Sequence, residues 1–426
     1  MRHELHLDAV PTGPSSEHND NVILDWQNGT SQSAFGHSSC KGGMESDGII
    51  RDHSNDFPLV LDRNSGELAA FSECKVVWGV RNGLFRILQV STMPPPSSIP
   101  VRRFGKSDVQ ISALGLGGHH LGSAKDEQTA VEIVHQGIAG GVTFFDCCWE
   151  YNRGRSEDWL GKGLKGHRKD VFLMTKVCTH GRDGSLARQM LEQSLRRLQT
   201  DYLDLWQIHG VSFQNDPELF IRSGGAAEAL LKAKQEGKVK FLGFTGHKDP
   251  DVHLAMLNTG FPFDAVQMPL NPFDANFFSF EQKVLPVLRE RGIAPLGMKP
   301  IGGHGEPVQK GIFTAQELLR YAMSLPVATT ITGVSDLGVL KQNLDVAQGF
   351  TPLHDTEMDA LRKRAKPYAG DGHFELYKAS LKFDNPEARL AHDFPLDMEQ
   401  VEVQQMVYNA QNTGRPYPQV KNSPGV

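Results

Sequence analysis

The stretch "GVTFFDCCWEYNRGRSEDWLGKGLKG" (141–166) decides how the chain folds. Thr143–Cys147 is a short apolar run with two adjacent phenylalanines, the composition of a buried strand. It ends on Asp146, and a carboxylate buried at a strand end costs several kcal/mol unless a cation or hydrogen-bond donor meets it. A partner must therefore come from elsewhere in the chain. From Arg155 the apolar spacing changes to that of a helix over 155–165. One strand followed by one amphipathic helix is a single β-then-α unit, so the question becomes how often it recurs.

It recurs along about 250 residues. Strands are expected at "ALGLGG" (113–118), "TFFDC" (143–147), "VFLMTKV" (171–177), "LDLWQIH" (203–209), "FLGFTG" (241–246), "AVQMPL" (265–270), "IAPLGMK" (293–299) and "ATTITG" (328–333). Helical patterns fill 126–140, 155–165, 185–198, 225–237, 250–259, 281–291, 314–324 and 337–347. Asp126, Ser185 and Thr314 stand where N-caps belong, and "QEGK", "NTG" and "ERG" end helices on glycine. Eight such units predict an α/β fold, a closed (β/α)8 TIM barrel, rather than an open doubly wound sheet. The glycines of "LGLGG" are a weak dinucleotide match, because no helix start follows in the spacing that motif needs.

Flanking segments differ in texture. Residues 1–100 are rich in Gly, Ser and Pro ("PTGPSSEHNDN", "MPPPSSIP") and are expected to be a largely disordered extension. Within them "FPLVL" and "CKVVWGVRNGLFRILQV" are apolar enough to suggest a hairpin. The barrel is expected over 101–350, and 351–426 form a C-terminal extension with one helical stretch near 355–366 followed by irregular chain.

Forty-four Lys plus Arg against 50 Asp plus Glu give a net charge of -6, which provides no broad basic surface for nucleic acid or anionic lipid. No run of about eighteen apolar residues is present, so no membrane span is expected. Five cysteines, an odd number without C-x-x-C spacing, suit reduced thiols and a cytoplasmic location. Composition leaves the oligomeric state open.

Chemistry in such barrels gathers where the strands end and the βα loops begin. Asp146 ends the second strand, with Tyr151 in the loop beyond; Lys176 lies on the third, and His209 ends the fourth. Each alone has an ordinary structural explanation. Adjacent strands nevertheless bring all four to one mouth. No histidine, cysteine and carboxylate spacing suggests a metal, and none is expected.

At these residues the chain resembles the aldo-keto reductase family, over roughly 102–350. "RRFGKSDVQISALGLGG" is similar to that family's opening hairpin and first strand. "GVTFFDCCWEYNRGRSEDWLGKGLKG" is similar to its Asp, Tyr and Glu-x-x-Leu-Gly pattern, and "FLMTKV" and "DYLDLWQIHG" to its lysine and histidine segments. The resemblance implies a catalytic tetrad of Asp146, Tyr151, Lys176 and His209, and reversible reduction of an aldehyde or ketone by hydride from a nicotinamide. In that reading Tyr151 gives a proton to the carbonyl oxygen, the Lys176 ammonium favours its phenolate, and His209 orients the oxygen. A regulatory or redox-sensing nucleotide binder of the same fold, turning over slowly, is the alternative.

The same resemblance implies a cofactor site of Thr245, Gln267, Met298, Lys299, Gly333, Ser335, Gln342 and Asn343. Thr245 and Gln267 would hold the carboxamide, Met298 would pack on the ring, and Lys299 with the glycines of "PIGGHG" would meet the pyrophosphate. Ser335 suits a 2′-phosphate, and Gln342 with Asn343 suit adenine. NADP(H) is the preferred cofactor and NAD(H) is possible, since Val339 stands where a phosphate-gripping side chain is common. "GFTGH" departs from the usual strand-five motif; His247 either replaces an amide donor or caps the helix near Asp249. His119, His120 and Trp149 are candidates for the substrate mouth, while Cys147 and Cys148 suit inert packing. The C-terminal extension either folds over the active site or straps the barrel exterior.

Overall fold

The computed structural model describes residues 98–177, 182–380 and 383–384, together with the backbone of short strands between His3 and Thr92. Two compact units are present, Met1–Ser97 and Ser98–Val426. In the first, Cys74–Arg81 and Leu84–Thr92 pair antiparallel, with Arg81 opposite Leu84, as the apolar composition suggested. The expectation of disorder over 1–100 otherwise falls mainly outside the described residues, as does that of irregular chain beyond Asp384.

The second unit is the expected barrel. Its strands are β1 (Leu114–Gly117), β2 (Phe144–Asp146), β3 (Phe172–Val177), β4 (Leu203–Ile208), β5 (Val239–Thr245), β6 (Ala265–Pro269), β7 (Ala294–Met298) and β8 (Thr329–Gly333). Each pairs parallel with its successor, and β8 returns to β1, so no edge is left. The covering helices are α1 (Glu127–Ala139), α2 (Arg155–Gly163), α3 (Gly184–Arg197), α4 (Ala226–Gln235), α5 (Pro250–Leu257), α6 (Leu285–Arg291), α7 (Ala315–Ser324) and α8 (Leu337–Gln348).

Helix ends follow side-chain chemistry. Asp126 accepts from Thr129 N, and Thr314 forms a capping box with Glu317. Ser185 is not a cap: α3 begins one residue earlier, and the Asp183 carboxylate accepts from Leu186 N instead. An ionised side chain there also meets the positive end of the helix dipole. Gly237, Gly260 and Gly292 follow α4, α5 and α6 in the left-handed region, with φ of 74°, 78° and 66°.

Two apolar layers form. Outward-facing strand residues such as Phe145, Leu173, Trp206 and Leu242 pack against α1 to α8 in one large core. Inward-facing Phe144, Phe172, Met174 and Leu205 fill the barrel from below together with Phe104 and Ile111. The last two belong to the hairpin of Val101–Arg103 and Gln110–Ser112, which closes the floor. The Phe104 ring lies 4.8 Å from Phe172 and 4.9 Å from Phe241, centroid to centroid. Arg102 fastens the hairpin by donating to the carbonyls of Val327 at 3.0 Å and Met323 at 2.6 Å.

The Glu-x-x-Leu-Gly pattern has a packing cause. Glu157 on α2 is fully buried, accepting from Thr175 Oγ1 at 2.6 Å and facing Arg197 Nη1 at 3.2 Å. Leu160 enters the core, and a Cβ at Gly161 would lie 2.5 Å from the Arg197 carbonyl oxygen of α3. The glycine therefore sets the approach of α2 to α3, while Glu157 holds β3 beside Lys176.

Because Phe104 plugs the floor, Phe104→Ala is expected to lower unfolding free energy by about 3–5 kcal/mol. Equilibrium denaturant unfolding measures this, and a loss below about 1 kcal/mol would show that the hairpin is a loose appendage.

Candidate active site

The polar residues expected at the strand ends lie at the mouth opposite that floor. Asp146 and Lys176 are both buried, at 4% and 1% exposure, so neither charge is solvated by bulk water. The Lys176 ammonium contacts Asp146 Oδ1 directly and donates to the Cys147 carbonyl at 2.9 Å. Gln267 Nε2, from the far side of the barrel, donates to Asp146 Oδ2 at 3.1 Å. Removing one member of a buried pair typically costs about 3–5 kcal/mol, which makes the pair a structural requirement as well as an electrostatic device.

Tyr151 reaches the same ammonium, with its hydroxyl 3.5 Å from Lys176 Nζ. A tight loop aims it: Asn152, Arg153 and Gly154 all take positive φ, of 51°, 57° and 91°. Asn152 latches the loop by donating to the His119 carbonyl at 2.8 Å and to Ser156 Oγ at 3.0 Å. The acidity expected for the phenol is not what the surroundings produce. Burial pushes Tyr151 well above its ordinary range, and the Asp146 carboxylate adds to that. The attraction of the Lys176 ammonium, partly offset by Asp146, does not outweigh the loss of water around the phenol.

His209 stands at the same mouth, its ring 5.8 Å from that of Tyr151. Two residues of the loop before Tyr151 meet His209 Nδ1: Glu150 Oε1 at 2.5 Å and Cys148 Sγ at 3.3 Å. Sequence reading missed Glu150, because a carboxylate in a loop is an ordinary surface residue until the fold sets it against β4. His119 approaches Tyr151 edge-on at 5.2 Å, with His120 next to it. Burial lowers His119 to about 4 and also lowers His120, so both imidazoles are neutral at physiological pH. Trp149 turns away from the mouth: its indole N–H donates to Gln193 Oε1 on α3 at 2.7 Å, and Arg197 lies over its ring.

Thr245, Gln267, Met298 and Lys299 converge on the opposite rim, at the ends of β5, β6 and β7. Thr245 and Gln267 are register partners, and Thr245 Oγ1 lies 4.0 Å from Met298 Sδ. Gln267 Oε1 is buried with no hydrogen-bond partner among the described residues. An orphaned acceptor of this kind suits an amide N–H arriving from a ligand. Gly246 has a steric reason: a Cβ there would sit 2.0 Å from the Val211 carbonyl oxygen.

Gly333 ends β8, and a Cβ there would meet the His120 ring at 2.1 Å. Beyond it, Ser335 hydrogen-bonds Asp336 at 3.3 Å, and the Asp336 carboxylate caps α8 through Val339 N. Asn343 is buried on the barrel side, 3.4 Å from Thr332 Oγ1, whereas Gln342 is exposed. Lys341 pairs with Asp345 on the solvent side.

The C-terminal segment reaches this rim. Tyr377 and Phe383 place their rings 4.9 and 5.6 Å from Lys299 Nζ. Asn271, after β6, ties the layers together by donating to the Lys299 carbonyl, Glu375 Oε1 and Tyr377 Oη at 3.2–3.3 Å. Beneath it Lys378 forms a buried pair with Asp274 at 2.6 Å. His247 does not cap α5, which Asp249 does; it lies 3.5 Å from Asp384 Oδ1, beside the Lys248–Asp384 pair. Burial lowers Lys299 to about 8, helped by the Lys176 charge and opposed by Asp146.

Known proteins resemble this chain in sequence and fold. A family model described as Aldo/keto reductase family matches residues 113–305. The uncharacterized oxidoreductase YqkF of Bacillus subtilis (strain 168) is 26% identical over 322 residues, covering 65% of this chain and 98% of that protein. L-galactose dehydrogenase of Arabidopsis thaliana is 35% identical over 161 residues, 35% of this chain and 49% of that protein. Among solved structures, the holo form of an aldo-keto reductase from Bacillus halodurans superposes with a TM-score of 0.54 at 26% identity, covering 65% of this chain and all of that one. An aldo-keto reductase from Klebsiella pneumoniae in complex with NADPH shares the fold, with a TM-score of 0.54 at 24% identity over 62% of this chain and 95% of its own. With the barrel and these relatives in agreement, residues 113–305 match the aldo/keto reductase family, and the relatives of this chain are oxidoreductases of that family.

Proposed function

We propose that the chain reduces an aldehyde or ketone to an alcohol, reversibly, with NADP(H) as the preferred cofactor and NAD(H) as the alternative. The contact of the Lys176 ammonium with both Asp146 and the Tyr151 hydroxyl carries this reading. The nicotinamide, when bound, supplies the hydride. Thr245 and Gln267 would hold its carboxamide, Met298 would pack against the ring, and Lys299 would meet the pyrophosphate. Gly333 gives close backbone approach; Ser335 and Asn343 would serve the adenosine end, and Gln342 contributes from the solvent side.

The chemistry at the carbonyl is left to this chain's own groups. Burial keeps the Tyr151 phenol protonated at physiological pH, as a proton donor must be. As negative charge grows on the carbonyl oxygen, Tyr151 transfers its proton there, and the ammonium 3.5 Å away stabilises the phenolate that results. Lys176 thus acts chiefly in the transition state, where an interaction raises turnover. Asp146 fixes the ammonium, and His209 orients the carbonyl oxygen with its ring edge-on to the donor.

Tyr151→Phe removes the donor and little else. Turnover of an aldehyde panel, read as loss of reduced nicotinamide absorbance, is expected to fall by about 10²–10⁴-fold with cofactor affinity nearly unchanged. Wild-type turnover in this variant would exclude Tyr151 as the acid. Tight cofactor binding without turnover by the wild-type protein would instead favour the sensor alternative.

Lys299 titrates near 8, so its charge is present below that pH and lost above it. If only the charged form grips the pyrophosphate, cofactor affinity falls by up to about tenfold per pH unit above the pKa. A fluorescence titration of cofactor binding against pH should show that limb in the wild type and not in Lys299→Met.

Asp336 bears on the choice of nucleotide, since its carboxylate holds the α8 N-terminus next to Ser335. Asp336→Ser keeps a capping side chain while removing the charge. A severalfold rise in the NADPH-to-NADH affinity ratio is expected, and an unchanged ratio would place the 2′-phosphate elsewhere.

A further inference from the structure

We infer that Cys148, Glu150 and His209 form a binding site for a borderline-soft divalent cation of the zinc type at the rim of the active-site mouth. Three different donor atoms converge there. His209 Nδ1 lies 3.3 Å from Cys148 Sγ and 2.5 Å from Glu150 Oε1, and the sulfur and carboxylate oxygen are 4.0 Å apart. The three atoms lie within 4.8 Å of one another. A tetrahedral zinc with bonds of about 2.3 Å to sulfur and 2.0–2.2 Å to nitrogen and oxygen needs its ligand atoms about 3.3–3.6 Å apart. Adjustments of under 1 Å therefore suffice.

The backbone already sets the donors. Cys148 and Glu150 stand on one short loop, two residues apart, and the Trp149 N–H between them donates to the Lys176 carbonyl at 3.1 Å. His209 is fixed from β4, its own N–H bonded to the Val177 carbonyl at 3.1 Å. Glu150 and His209 remain 18% and 16% exposed, which gives an ion an approach from the mouth to the buried sulfur.

The donor set selects the ion. Thiolate and imidazole favour zinc or cobalt over magnesium or calcium, which require oxygen cages. Three protein ligands leave the fourth position to water. Without metal, His209 Nδ1 and Glu150 Oε1 hydrogen-bond each other at 2.5 Å. Metal on Nδ1 requires the ring proton on Nε2, while the Cys148 thiol proton passes to solvent. The occupied site thus fixes His209 in the form that donates toward a carbonyl oxygen, with no change in oxidation state at any atom.

Cobalt(II) is the probe, because thiolate coordination produces an intense near-ultraviolet charge-transfer band that oxygen and nitrogen ligands alone do not. The reduced, chelator-treated full chain should develop this band with one equivalent of Co²⁺ and lose it when Zn²⁺ is added. Cys148→Ser should abolish the band. Glu150→Gln should weaken Co²⁺ affinity by more than about tenfold, the scale on which even groups outside the coordination sphere act. A wild-type protein without the band, a band that survives in Cys148→Ser, or unaltered affinity in Glu150→Gln would overturn the site. If Cys148→Ser fails to unfold cooperatively, the Glu150→Gln titration decides. Cofactor and substrate are absent throughout, so the outcome is independent of the reductase reading.

Discussion

The buried pair of Lys176 and Asp146 is the constraint on which the mouth depends. Two charges removed from water on adjacent strands are tolerable only when they meet each other and when their remaining donors and acceptors are filled. The Cys147 carbonyl and the Gln267 amide fill them. Through Gln267 the pair spans from β2 and β3 to β6, and through the ammonium it reaches Tyr151. One electrostatic requirement thereby fixes the placement of the Tyr151 hydroxyl and of the buried, unpartnered Gln267 carbonyl oxygen.

The two ends of the barrel divide the labour. Aromatic packing of Phe104, Phe144 and Phe172 fills the floor, whereas the upper rim gathers lysines, histidines and carboxylates within a few ångströms. Burial then sets the protonation states there: a phenol that stays neutral, histidines that stay uncharged, and a lysine whose charge is conditional. The outer helices supply the rigidity that such a rim requires. Glu157 illustrates this, because it binds α2, α3 and β3 together without touching the mouth.

Much of this was legible in the primary structure because apolar periodicity and strand-end polarity are local signals. All eight strands and all eight helices stand where alternation placed them, and Asp146, Tyr151 and Lys176 meet as the barrel topology requires. Residues that act across long separations were not legible. Glu150 acquires meaning only against His209, fifty-nine positions later, and Asn271 only against Glu375 and Tyr377, more than a hundred positions later. The acidity of Tyr151 is not legible in the sequence for a related reason. Residue types reveal the ammonium but not the loss of water around the phenol, and desolvation is the larger effect. Trp149 shows a further limit, since loop position does not say which way an indole turns.

The aromatic cover on Lys299 has a thermodynamic consequence of its own. Tyr377 and Phe383 shield the ammonium, and Lys248 with Asp384 anchors the same stretch of chain. Any anion that engages Lys299 competes with those ring contacts or reinforces them. Linkage makes such an effect reciprocal: whatever the anion does to the docking of the C-terminal residues, that docking does equally to the anion's affinity. The stretch from Tyr377 to Asp384 is thus energetically part of the pocket around Lys299, a residue far earlier in the chain.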